Sequence, residues 1–144
     1  MNEAIRSIRR AGIELSKWAG YATAMIDKIE LNELQTPQDY HSCEFGKWYA
    51  KDQWNLSSFS EYAQLGIHHV KLHELYEEMM EIVEREVRPS FFKKISGSTP
   101  KLSKLDRKLL LNKYQSFKLV SKQALTLLKT LRDKVSQRGL CVAA

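Results

Sequence analysis

His69 and His73 stand four residues apart in the stretch His68-His69-Val70-Lys71-Leu72-His73. On a helix that spacing puts both imidazoles on one face, about one turn apart, which is what two rings need to share a metal ion. Upstream, Cys43 opens the segment Cys43-Glu44-Phe45-Gly46-Lys47-Trp48-Tyr49 and would bring a thiolate to the same ion. Zinc takes nitrogen and sulfur ligands in a tetrahedral array, usually three or four of them from the protein. A bare His-x-x-x-His is more often two ordinary histidines. With the cysteine segment beside it, Cys43, His69 and His73 become candidate zinc ligands. His68 lies off their face and reads as a surface residue. Trp48, Tyr49 and Trp54 read as core and loop packing, and Lys47 as solvated.

Catalytic motifs are missing around these residues. A zincin needs His-Glu-x-x-His, the Glu activating the metal-bound water, and Val70 holds that position here. Di-iron bundles need Glu-x-x-His on two helices. The residues three before His41, His68, His69 and His73 are Gln38, Leu65, Gly66 and Val70. No glycine-rich phosphate loop or nucleophile elbow occurs, so the chain is expected not to be an enzyme and to have no small-molecule substrate.

The elements that must carry these residues are helical. With Gly 6 and Pro 3 in 144 residues, the composition suits long helices better than many short strands. The first helix is expected from about Asn2 to Leu31, with Ile5, Ile8, Gly12, Leu15, Ala19, Ala22, Ile26 and Ile29 as its inward stripe and Glu14, Trp18, Tyr21 and Met25 beside it. Thr36-Pro37 reads as an N-cap and first helical position, opening a second helix from Pro37 to about Ala50 that carries Cys43. Ser58-Phe59-Ser60-Glu61 fits a capping box for a third helix. Its inward stripe is Tyr62, Leu65, His69, Leu72, Tyr76, Met79 and Val83, and Pro89 ends it. After a connector over 90–101, the last helix runs from about Pro100 or Leu102 to Gln137. Its near-heptad series is Leu110, Tyr114, Phe117, Ser121, Ala124, Leu128, Leu131 and Val135, with Gly139 as a stop. The expectation is an all-α, antiparallel up-and-down four-helix bundle: one domain over 1–138 and a frayed tail over 139–144 that holds Cys141.

Charge is segregated along the chain. Residues 1–87 carry 9 Lys+Arg and 15 Asp+Glu, a charge of −6, and residues 88–138 carry 14 and 2, a charge of +12. Such a half can bind nucleic acid or an anionic surface. It can equally pack beside the acidic run Glu74, Glu77, Glu78, Glu81, Glu84 and Glu86, which is the simpler reading. No apolar run reaches the length of a membrane span and no leader opens the chain, so a cytoplasmic protein is expected. Cys43 and Cys141 do not make a disulfide framework.

The Cys43–Tyr49 segment and the His69/His73 pair together resemble the chemoreceptor zinc-binding domain, a family of small bacterial helical domains, over roughly residues 1–88. The resemblance implies zinc held by Cys43, His69 and His73. It also implies a further ligand, a His three residues before a Trp on the first helix. Trp18 stands in that place, but three residues before it is Leu15, and residues 1–40 contain no His. Lying on the inward stripe, Leu15 is expected to face the site. A water, His41 or Glu14 would then complete the shell, or the fold persists with a degenerate site and no metal. His41 is two residues from Cys43, so the two would diverge on a regular helix. The implied function is a zinc-binding regulatory or sensor module of bacterial signalling, chemotaxis included. It would pass the metal or redox state of the Cys/His site through helix packing to a partner protein or to a second copy in a dimer. The alternative is a metal-free interaction module that binds an acidic protein, less readily nucleic acid, through its basic last helix.

Overall fold

A computed structural model describes residues 2–27, 34–87 and 102–143. These form four α-helices: α1 (Asn2–Asp27), α2 (Glu44–Lys51), α3 (Ser60–Val87) and α4 (Lys104–Ala143), with a 3-10 turn at Leu56–Ser58 before α3. No strand occurs among the described residues, so the all-α expectation holds. The expected end of α1 at Leu31, the stop at Pro89 and the connector over 90–101 lie outside the described residues.

α4 is the spine. Its expected series is buried along its length, with Leu110, Phe117, Ser121, Ala124, Leu128, Leu131 and Val135 in the core and Tyr114 at its edge. On α3, Leu65, His69, Leu72, Tyr76, Met79 and Val83 are buried as the periodicity predicts. Ion pairs tie the two helices: Lys134 to Glu61 at 2.6 Å, Lys113 to Glu78 at 2.7 Å and Arg85 to Asp106 at 2.5 Å. Residue numbers on α4 therefore fall as those on α3 rise. α1 meets α4 in the same sense, through a 2.9 Å hydrogen bond between the Thr23 and Tyr114 hydroxyls and through Gly12 beside Leu125 and Leu128.

The buried line on α1 is rotated from the expected one. It runs Ala4, Ile8, Ala11, Leu15, Trp18, Ala22 and Met25, with Ile5, Ala19 and Ile26 only half-buried. The helix is covered from two sides, so its buried arc centres between the two apolar lines in the sequence. Gly12 borders α4 at Leu125 and Leu128, while Trp18 turns toward α3, its ring centroid 5.0 Å from that of Tyr76.

The second leg departs most from expectation. No helix begins at Pro37, and residues 35–39 are irregular. The reason lies in where the main-chain carbonyls go. Gln35 C=O accepts from the Tyr76 hydroxyl at 2.6 Å, and Gln38 C=O accepts from His73 Nδ1 at 2.7 Å. α3 side chains thus take carbonyls that a helix would have used. The helix starts only at Glu44 and ends at Asp52, which adopts φ 41° and ψ 43°. Asp52 Oδ1 then accepts from Leu56 N–H at 2.7 Å and fixes the turn into α3.

The expected capping box is not formed. Ser58 Oγ donates to Asn55 C=O at 2.9 Å, and Glu61 is held by Lys134. Phe59 is extended and its carbonyl accepts from Tyr62 N–H at 3.2 Å, so α3 begins at Ser60, one residue later than the motif would place it. α4 is capped by Ser103, whose Oγ accepts from Asp106 N–H at 3.1 Å, and it continues through Gly139 to Ala143.

Gly66 is a second contact point between α2 and α3. The Tyr49 and Tyr62 rings stack with centroids 4.1 Å apart, and each hydroxyl donates to the other residue's carbonyl. A Cβ on Gly66 would lie 2.3 Å from Tyr49 Oη and 2.8 Å from Cζ, an aromatic end tied in place. Gly66→Ala should therefore destabilise by about 1–3 kcal/mol in urea unfolding. In a Tyr49→Ala background the same change should become neutral or stabilising by up to about 1 kcal/mol, from the helix preference of Ala alone. An equal loss in both backgrounds would contradict the contact.

Candidate metal centre

His69 and His73 face the core from the middle of α3 and are 3% and 7% exposed. Aromatic rings pin both imidazoles. Phe45 lies 4.5 Å from His69 between centroids, and Trp18 lies 5.2 Å from His73. Gln38 C=O is an acceptor only, so the 2.7 Å contact places a hydrogen on His73 Nδ1 and leaves Nε2 with a free lone pair. A main-chain carbonyl on the far ring nitrogen is the usual support of a metal-binding histidine.

Cys43 reaches these rings as the N-cap of α2, not from within a helix. Its backbone is extended, and Sγ accepts from Gly46 N–H at 3.2 Å, the role a Ser or Asp oxygen plays at other helix starts. Gly46 is needed for a second reason. A Cβ there would sit 1.8 Å from Tyr40 C=O and 3.4 Å from Cys43 Sγ, so only glycine lets the turn over 39–43 fold down onto the helix. The Cys-x-x-Gly spacing thus encodes a capped thiol over a close backbone crossing.

The three ligand atoms converge. Cys43 Sγ is 3.1 Å from His69 Nε2, His69 Nε2 is 3.1 Å from His73 Nε2, and all three lie within 4.8 Å of one another. Zinc bond lengths in a tetrahedron place sulfur and nitrogen about 3.6 Å apart and two nitrogens about 3.3 Å apart, so the two 3.1 Å contacts need to open only by a few tenths of an ångström. One hydrogen cannot serve both 3.1 Å contacts well, whereas a metal ion takes all three lone pairs. The residues fit zinc. Burial, then the neighbouring His73 and His41, holds His69 down to about 3, and burial lowers His73 as well, so both rings are neutral and ready to coordinate. Burial pushes the Cys43 thiol up despite the Gly46 N–H. Metal uptake must therefore displace a proton from sulfur.

Neither candidate for a fourth ligand joins the cluster. His41 is exposed, with its ring against Tyr40 at 4.1 Å, and the Glu14 carboxylate binds Lys17 at 2.7 Å. Leu15 does face the site: with Trp18, Leu72 and Phe117 it walls a small void bordered by His69 and His73. His68 is outside, bonded to Gln64 C=O and Gln123. Trp48 donates to Ser7 Oγ at 2.6 Å, Trp54 is half-buried, and Lys47 pairs with Glu44 at the surface. The contribution of Gln38 was not visible in its residue type, since it acts through its main-chain carbonyl.

The chemoreceptor zinc-binding domain family matches residues 16–80, a span that holds Trp18, Cys43, His69 and His73 and excludes Leu15 and α4. The resemblance seen in the Cys43 segment and the histidine pair is borne out over that span. No curated protein and no solved structure matches the chain.

Two outcomes follow from this geometry. The unfolded chain protonates His69 near pH 6.5, whereas the folded metal-free chain resists until about 3. Protons in that window favour unfolding, so stability should be full above pH 6.5 and fall as pH drops, by up to about 1.4 kcal/mol per pH unit for His69. Urea titrations of metal-free protein at pH 7 and pH 5 test this, and a slope unchanged in His69→Gln would refute it. Gly46→Ala should weaken zinc binding by about 10–100-fold in chelator competition, because it displaces the thiol's support. Unchanged affinity would show that the Tyr40 crossing does not place Cys43.

Proposed function

We propose that the protein is a zinc-binding regulatory module in which Cys43, His69 and His73 hold the ion and its occupancy sets how the second leg packs on α3. The observation that carries this is the convergence of three buried ligand atoms within 4.8 Å, with His73 supported by Gln38 C=O, inside a span that matches a zinc-binding family. When bound, zinc would supply a cross-link between residues 38–46 and α3. The chain's own residues supply neutral imidazoles, a capped sulfur and an apolar surround that excludes water.

The up-and-down bundle order accords with the pairings of α4 with α1 and α3, with residues 35–51 as the descending second leg. The module is non-catalytic in this reading. Val70 stands where a zincin has its base, and no carboxylate joins the ligand cluster among the described residues. No helix among the described residues is long and apolar enough to cross a membrane, which accords with a cytoplasmic location. The output passes to a partner protein or a second copy through the surface of the second leg. The metal-free alternative, an adaptor that binds an acidic partner through α4, draws less support, because Lys113 and Lys134 are engaged by Glu78 and Glu61 of the same chain.

The test is metal content after purification without added metal or a polyhistidine tag, with Cys43→Ser in parallel. About one zinc per chain is expected, lost or sharply weakened in the variant. Chelation should then speed amide exchange over residues 34–51 more than over α4. A folded, helical protein that takes no zinc when offered it would overturn the reading.

A further inference from the structure

We infer that the outer seam between α1 and α4 is a docking surface for an acidic amphipathic helix of another protein. The seam is located by Gly12, where an added Cβ would lie 3.8 Å from Leu128 and 3.9 Å from Leu125. Leu128 is buried and Leu125 is 36% exposed, so Leu125 marks the solvent side of the contact. From there each helix presents a line at alternating steps of three and four residues, the spacing of one helix face. On α1 it runs Arg6, Arg9, Ile13, Ser16 and Gly20, all exposed. On α4 it runs Lys118, Lys122, Leu125, Lys129 and Arg132, of which only Arg132 is half-buried. The two helices run in opposite senses, in the register set by Gly12 on Leu125 and by the Thr23–Tyr114 hydroxyl contact. Ile13 therefore comes level with Leu125, Arg9 with Lys129 and Arg6 with Arg132. The strip has an apolar centre, with Ile13 59% exposed beside Leu125, cations to either side and no carboxylate at any of these positions.

Charge and shape select the occupant. Like charges held level on neighbouring helices repel, and little in the chain offsets them here. Arg132 touches Asp133 at 3.7 Å, and Lys118 Nζ lies 5.5 Å from the Tyr114 ring centroid. Arg6, Arg9, Lys122 and Lys129 have no ion pair among the described residues. By contrast, Lys113 and Lys134 are held by Glu78 and Glu61 of α3. α4 is thus neutralised where α3 supplies carboxylates and left bare beside α1. Carboxylates of a partner would relieve that repulsion. From Arg6 to Gly20, and from Lys118 to Arg132, the strip is about 21 Å long, the length of a helix of roughly four turns. A Cβ on Gly20 would meet nothing within 4 Å, so that end is open. A helix in the seam would set an apolar side chain between Ile13 and Leu125 and carboxylates three and four residues to either side. A nucleic acid would engage the cations but leave Ile13 and Leu125 against its phosphates, which favours the helix. The metal cluster lies on another side of α1, where Trp18 meets His73, so this surface does not rest on the zinc reading.

The test is fluorescence anisotropy with the full chain at about 0.15 M salt. The probe is a labelled alanine-based helical peptide of about 15 residues, with a central leucine flanked by glutamates at three- and four-residue spacing. It should bind at one per chain, at least about tenfold more tightly than a twin with lysine for glutamate. Lys122→Glu with Lys129→Glu should weaken it at least about tenfold, whereas Lys104→Glu with Lys108→Glu, the same charge change beyond the strip's end, should stay within about twofold. Ile13→Ser, which alters no charge, should weaken it at least about threefold. All these side chains are exposed, and circular dichroism confirms that each variant folds. No binding, an equal loss in the two double reversals, or an unchanged affinity in Ile13→Ser would overturn the inference. So would duplex DNA that outbinds the peptide and is weakened by the Lys122 and Lys129 reversal, which would assign the strip to nucleic acid. Sedimentation showing a dimer that the same reversal dissociates would overturn it in favour of a second copy.

Discussion

Two imidazoles and a thiol face one another inside the helical core, and much of the structure between residues 34 and 51 follows from accommodating them. Buried polar atoms that lack good partners cost about 1–3 kcal/mol each. Here His69 Nε2 has two neighbours at 3.1 Å and only one hydrogen to share between them. The chain offsets part of that cost by keeping residues 35–39 out of helix and lending the Gln38 carbonyl to His73. Structural zinc contributes about 10–16 kcal/mol in small sites, far more than these hydrogen bonds, so a metal would dominate the balance wherever it binds.

The surroundings divide the work. α4 carries few polar demands in its core face, and its long apolar line, with ion pairs to Glu61, Glu78 and Arg85 of α3, holds α3 in place. Those pairs are partly solvent-exposed, so each is worth little by itself; burial of Leu110, Phe117, Leu128 and Leu131 stabilises the pairing more. The second leg is the opposite case. α2 has only eight residues, and its hold on α3 runs through Phe45 on His69, the Tyr49–Tyr62 stack and Cys43 itself. A change at the site is therefore felt first where the packing is thinnest.

What could be read from the amino-acid order followed this division. The stripes of α3 and α4 were legible because side-chain burial alone decides them, and Leu15 facing the imidazoles followed from the same periodicity. On α1 the buried line was displaced, since Trp18 is drawn in by His73 and Tyr76 of α3 while Gly12 lies against Leu125 and Leu128 of α4. The start of α2 was not legible. Thr36-Pro37 has the chemistry of a helix cap, yet carbonyls at positions 35 and 38 are claimed by Tyr76 and His73, tertiary contacts that no local pattern announces. Ser58 and Glu61 likewise match a capping box, but Glu61 is claimed by Lys134, 73 residues away. Local signals lost wherever a distant side chain needed the same atom.

The position of Cys43 matters beyond its identity as a ligand. At an N-cap its sulfur is held by Gly46 N–H and lies at the one point where the irregular 35–43 segment meets α2. Drawing Sγ toward His69 and His73 thus pulls on both the helix start and the run of chain that supports His73 through Gln38. The imidazole ligands cannot respond in the same way, because each is one residue in the interior of a 28-residue helix packed along α4. In the proposed reading, a conformational consequence of metal binding would be directed into the second leg, where Tyr40, His41, Ser42, Glu44 and Lys47 are exposed.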